Sequence, residues 1–254
     1  MEFDITQQTL KQVLSSTGPL VDEIVVDFNE EGIHTAGVDP SNVAMVDIEL
    51  DESAFEKYSG DDKQRGLDLE RFGDRIGMAS SGDAIHVEET DEGGKLRIEF
   101  GGLSFTMGLV SVDAIRGADQ DKPNLDWDAE FSIPAADLQR GKDACNMVSD
   151  HFTLNIDDET FEMLAEGDTD DVNFDVEPLP DDAEDSEDGL RFDSSPDDCE
   201  AKYSLKYLDD IIDAVPNGTE VDISFGDNLP ILLGFDIAGG AGRVEYVIAP
   251  RVDM

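Results

Sequence analysis

Apolar residues recur along the chain with two rhythms, one of two residues and one of three to four, and they alternate in short blocks. Phe3 and Ile5 alternate with polar neighbours and predict a strand over 2–6, while Leu10, Val13 and Leu14 fall on one face of a helix. Strands over 24–28 and 32–38 follow, joined by the turn-forming cluster Asn29-Glu30-Glu31-Gly32, and a further strand over 42–50 carries Val43, Met45 and Ile48. Residues 65–69 lead into a second helix with Leu69, Phe72 and Ile76 inward. Strands over 84–89, 95–100 and 103–110 come next, the first two linked through Asp91-Glu92-Gly93-Gly94.

The same plan then runs again. Phe3, Ile5 and Leu10 recur as Phe131, Ile133 and Leu138, 128 residues on; Leu69, Phe72, Ile76, Ile85 and Val87 recur as Leu205, Leu208, Ile212, Val221 and Ile223, 136 residues on. The offset grows because the second copy carries an acidic insertion at 181–188 (DDAEDSED). Apolar spacing fixes which face of each element is buried, so matched spacing over whole halves implies two domains of one fold. The second copy predicts strands over 129–133, 152–156, 160–165, 172–177, 190–193, 199–205, 220–225, 232–237 and 243–248, with helices over 135–148 and 204–214. The expected class is α+β, two similar antiparallel-sheet domains each with two short helices. The expected boundaries are 1–117, a connector over 118–128, and 129–254. The polar stretch 111–128, which contains Pro123, is long for a connector in a compact protein, and long connectors are often functional.

Charge changes this picture. The 254 residues hold 62 Asp and Glu against 17 Lys and Arg, a formal net charge of −45. Three readings compete: a disordered acidic chain, a nucleic-acid mimic, or a surface adapted to near-molar salt, where screening shortens to ~3 Å. Apolar periodicity almost end to end argues against disorder. The spread of acids along the chain and the scarcity of lysine stems favour the third reading.

Candidate chemistry adds little. His34, His86 and His151 sit far apart in strand-like segments, and Cys145 and Cys199 lack metal-ligand spacing, Cys145 lying on an apolar helical stripe. Asp119, Asp121 and Glu130 match positions 1, 3 and 12 of a calcium loop, but Asn124 stands where its glycine belongs. No phosphate-binding loop, dinucleotide fingerprint or nucleophile elbow occurs, so a catalytic reading, such as a calcium-dependent hydrolase, has little support. Asn217-Gly218-Thr219 reads as a turn rather than a glycosylation site. No apolar run reaches the ~18 residues of a membrane span and no leader pattern opens the chain, so a soluble intracellular protein without membrane association is expected.

The four predicted helices (7–17, 69–78, 135–148, 204–214) break the charge trend. They hold six bases, Lys11, Arg71, Arg75, Arg140, Lys142 and Lys206, against seven acids, whereas the remainder holds 11 bases and 55 acids. Helices that must approach a polyanion would be spared acidification in this way.

The segment YSLKYLDDIIDAVPNGTEVDISFGDNLPILLGFDIAGGAGRVEYVIAPRV, together with GIHTAGVDPSNVAMVDIEL and LDLERFGDRIG, resembles the proliferating cell nuclear antigen type of DNA sliding clamp, and among these the archaeal members adapted to high salt. The resemblance implies a DNA clamp fold assembled as a closed trimeric ring, a processivity factor with no catalytic residues, working in a high-salt cytoplasm. It implies that the six helix bases face duplex DNA without reading sequence. It implies subunit contact through Leu103, Phe105, Met107 and Leu109 of one copy and Val172, Phe174 and Val176 of the next. It implies a pocket for short aromatic-containing motifs of DNA polymerase, clamp loader, flap endonuclease and DNA ligase. That pocket would be formed by Val38, Val43, Met45, Leu125, Trp127, Pro230, Val247, Ala249, Pro250 and Val252; for Val43 and Val247 ordinary core packing is an equal alternative. Relatives carry more helix lysines, so no cofactor is expected beyond hydrated cations between carboxylates and phosphates. The alternative from another class is an acidic decoy that blocks a basic partner.

Overall fold

The computed structural model describes residues 1–117, 120, 122–180, 183 and 189–251. Asp119, Asp121, Val252 and all of the acidic insertion except Ala183 lie outside the described residues. The chain divides into two compact units, Met1–Lys122 with Asp236–Val244, and Pro123–Phe235 with the segment from Glu245 on.

In the first unit, β1 (Glu2–Thr6), α1 (Gln7–Thr17), β2 (Glu23–Phe28), β3 (Gly32–Val38) and β4 (Ala44–Asp51) are followed by β5 (Lys57–Ser59), β6 (Lys63–Asp68) and α2 (Leu69–Ile76). Then come β7 (Ala84–Glu89), β8 (Lys95–Phe100) and β9 (Leu103–Gly108). The strands form two antiparallel layers, in the orders β5-β1-β7-β8-β9 and β4-β3-β2-β6. The helices start at side-chain caps that satisfy otherwise orphaned N–H groups: the Thr6 hydroxyl accepts from the Thr9 N–H, and the Asp68 carboxylate accepts from the Arg71 N–H. Strand β4 starts two residues later than the alternation predicts. The buried Asp39 carboxylate accepts from the Ser41, Val43 and Ala44 N–H groups, and Asn42 takes a positive φ of 55°, so this stretch is a tight turn. The short strand β5 was not foreseen. It is held by pairing with β1 and carries too few residues to show a period.

The second unit repeats the plan with β10 (Ala129–Pro134), α3 (Ala135–Asn146), β11 (His151–Asp157), β12 (Thr160–Glu166) and β13 (Asp171–Val176). It continues with β14 (Arg191–Phe192), β15 (Cys199–Ser204), α4 (Leu205–Ile212), β16 (Glu220–Phe225) and β17 (Ile231–Ile237). The last strand, β18 (Gly242–Ile248), begins in the first unit. Strand orders β14-β10-β16-β17 and β13-β12-β11-β15 mirror those of the first unit. The register makes the repeat concrete: Phe3 faces Tyr58 and Val87 as Phe131 faces Phe192 and Ile223. Each of these phenylalanines anchors an aromatic cluster, Phe3 with Phe28 and Phe55, Phe131 with Phe161 and Phe192. Helix α3 sits tight on its sheet at Gly141, where a Cβ would come within 2.5 Å of Met163 Sδ and 2.7 Å of Phe174 Cδ1. Among the described residues no helix is long and apolar enough to cross a membrane.

Candidate nucleic-acid and partner interfaces

The observed helices α1–α4 hold six bases and six acids, so their near-neutrality survives the shorter boundaries. Lys11, Arg71, Arg140 and Lys206 are exposed, and Arg75 is half-buried with its guanidinium donating to the Arg71 carbonyl. Lys142 departs from expectation. Its side chain is only 4% exposed and its ammonium lies 2.7 Å from Asp209, 3.1 Å from Asp143 and 3.6 Å from Asp213. That charge ties α3 to α4 and is not offered to a phosphate. Burial would lower its pKa, but the hydrogen bonds to Asp209 and Asp143 outweigh this and hold it raised. Asn146 adds a 2.8 Å bond to Asp209. The pair Asp209 on α4 and Asp213 at its C-cap, four residues apart, was the available signal for a facing cation.

Strands β9 and β13 are each the last strand of their layer. On β9, Leu103 is exposed, Phe105 is half-buried with its ring 5.9 Å from that of Phe100, and Met107 is fully buried within its own unit. Met107 therefore supports the edge from behind. Leu109 is half-buried and falls just past the strand, where its N–H donates to the Gly94 carbonyl. On β13, Val172, Phe174 and Val176 are half-buried at alternate positions of one face. The Arg140 guanidinium lies 5.6 Å from the centre of the Phe174 ring. β9 has no charged residue and no proline, the devices that usually protect an exposed edge.

Of the expected pocket residues, Val38, Val43, Leu125, Trp127, Pro230, Ala249 and Pro250 are half-buried, while Met45 and Val247 are buried. Val252 lies outside the described residues.

The histidines are paired with neighbours. His86 meets Asp4, and His151 meets Arg251. His34 Nε2 lies 3.2 Å from Asp47 Oδ2, whose other oxygen is 3.3 Å from Lys122 Nζ. The Asp47 bond raises the His34 pKa above its ordinary value; burial alone would raise that of Asp47, yet His34 and Lys122 together hold it low. Both cysteines are buried, their thiols pushed up by burial to about 11 for Cys145 and about 12 for Cys199, which makes them poor nucleophiles.

Duplicated two-layer units with helices spared from acidification, and an uncharged edge strand β9 in the first unit, define a clamp-type architecture. Family models of the proliferating cell nuclear antigen N-terminal and C-terminal domains match residues 1–103 and 121–251. DNA polymerase sliding clamps of Natronomonas pharaonis and Haloarcula marismortui are 41% and 39% identical over 250 residues, covering 98% of this chain and 97% of theirs. Among solved structures, A. fulgidus PCNA bound to the C-terminal region of FEN-1 superposes with a TM-score of 0.89 at 29% identity, over 100% of this chain and 99% of that one. PCNA from Thermococcus kodakaraensis gives 0.85 at 27%, over 98% and 99%. The chain belongs to the proliferating cell nuclear antigen family of DNA sliding clamps, the processivity factors of DNA polymerase.

Proposed function

We propose that three copies close head-to-tail into a ring around duplex DNA, β9 of one copy pairing with β13 of the next. The observation that carries this reading is that β9 and β13 each end a layer, β9 without a charged residue. A heterologous contact that closes by rotation gives a finite ring. Lys11, Arg71, Arg75, Arg140 and Lys206 then meet phosphates without base readout, and hydrated cations between helix carboxylates and phosphates supplement them. The ring performs no catalysis of its own. It tethers polymerase, clamp loader, flap endonuclease and ligase through the connector pocket; the FEN-1 segment bound to A. fulgidus PCNA supports this for the endonuclease. The charge of −45 suits a cytoplasm near molar salt.

Light scattering in molar KCl tests the assembly, with a mass about three times 27.7 kDa expected. A monomer there would overturn the ring and favour the acidic decoy. Loaded protein should also stay on circular duplex DNA and escape when the circle is cut. Equal retention on both would refute threading.

A further inference from the structure

His34, Asp47 and Glu49 share one face of β3 and β4. In register, His34 stands directly opposite Glu49, with Asp47 two residues along β4, and Asp27 of β2 flanks His34 on the other side. One ligating atom from each of His34, Asp47 and Glu49 lies within 4.8 Å of the others. The 3.2 Å between His34 Nε2 and Asp47 Oδ2 is the edge length expected of a metal polyhedron with bonds of about 2.0–2.2 Å. Asp47 is fixed, its side chain 8% exposed, whereas His34 and Glu49 border an open cleft of about 380 Å³ through which an ion can enter.

Carboxylates alone would not distinguish this place from the rest of so acidic a surface. Alkali and alkaline-earth ions, which take oxygen ligands, would populate any of them. The imidazole changes the selectivity. One nitrogen and two carboxylate oxygens suit a borderline divalent ion, and molar potassium does not compete for the nitrogen. Strong negative charge nearby raises the local cation concentration. The cation now held by Asp47 is the ammonium of Lys122, where the connector leaves the first unit.

We propose that His34, Asp47 and Glu49 bind one divalent transition ion of the zinc or cobalt class, in competition with the Lys122–Asp47 ion pair. Metal binding thereby breaks the ion pair between Lys122 of the connector and Asp47 of β4. The proposal does not depend on ring closure.

The test titrates Co2+ into the full chain in molar KCl, following visible absorption, with Zn2+ as competitor. Saturation at one ion per chain is expected. His34→Asn should weaken affinity at least tenfold, Glu49→Gln severalfold, and Lys122→Met should strengthen it. A parallel NMR titration with Mn2+ should broaden the ring protons of His34 and spare those of His86 and His151, which reads the site without any variant. Absence of saturable binding, His34→Asn binding as tightly as the unaltered chain, or equal broadening of all three histidines would overturn the site. Unchanged affinity in Lys122→Met would overturn the competition.

Discussion

The Arg140 guanidinium lies over the ring of Phe174, 5.6 Å from its centre, and so joins a helix spared from acidification to the edge strand β13. Gly141 beside Arg140 lets α3 approach closely enough for the stacking to form. Arg140→Ala should weaken association between copies by ~0.5–1 kcal/mol, the usual value of a partly exposed cation–π contact. Sedimentation equilibrium in molar KCl would show the change, and Arg140→Lys should recover part of it. An unchanged association constant would contradict the coupling.

Lys142 sits among three carboxylates, so Lys142→Met should leave Asp143, Asp209 and Asp213 repelling one another across α3 and α4. A fall in Tm of roughly 2–4 °C is expected, corresponding to ~1 kcal/mol for a chain of this size. The loss should shrink as KCl rises, since screening relieves the repulsion. DNA retention, by contrast, should respond to Lys11→Ala or Arg71→Ala far more than to Lys142→Met.

The uncharged edge β9 is expected to meet β13, which carries Asp171 and Asp175. Leu103→Asp places a like charge at that contact, and facing like charges destabilise a strand pair. Light scattering should show dissociation at protein concentrations where the unaltered chain stays assembled.

Asp61 makes paired hydrogen bonds with the buried Arg65 guanidinium, which also donates to Glu89. The Arg65 bond holds the Asp61 carboxyl down at about 2. Because the folded value is depressed below the unfolded value of about 4, this contribution to stability is complete above that value and lost as pH falls toward 2. The difference in unfolding free energy between the unaltered chain and Asp61→Asn should therefore be constant near neutrality and shrink between about pH 4 and 2. A difference that stayed constant through that window would show that the pair contributes nothing through ionisation.

Leu125 and Pro250 are half-buried. If partner motifs seat on them, Leu125→Ala and Pro250→Ala should each weaken an aromatic-containing peptide about tenfold, ~1.4 kcal/mol, without changing assembly. Fluorescence anisotropy of a labelled flap-endonuclease peptide measures this directly, and equal affinity would remove those residues from the pocket.

Much of the fold was legible because burial has a local period. Phe3 and Ile5 and their copies Phe131 and Ile133 marked β1 and β10, and all four helices appeared within a few residues of their observed ends. Elements too short to show a period escaped, as β5 did, and the start of β4 moved because Asp39 captured backbone donors. The basic helix residues were also visible, since a departure from a strong compositional trend needs no structure to be noticed.

What the sequence alone determined was the duplication, the class of the longer elements and the sparing of the helices from acid. These follow from spacing and charge counted along the chain. Tertiary structure decided which charges are spent internally, which strands end a layer, and that Asp47 meets both His34 and Lys122. Those outcomes depend on strand register and helix packing between segments far apart in sequence: Lys142 finds Asp209, and Asp47 finds Lys122, across separations that no local period encodes.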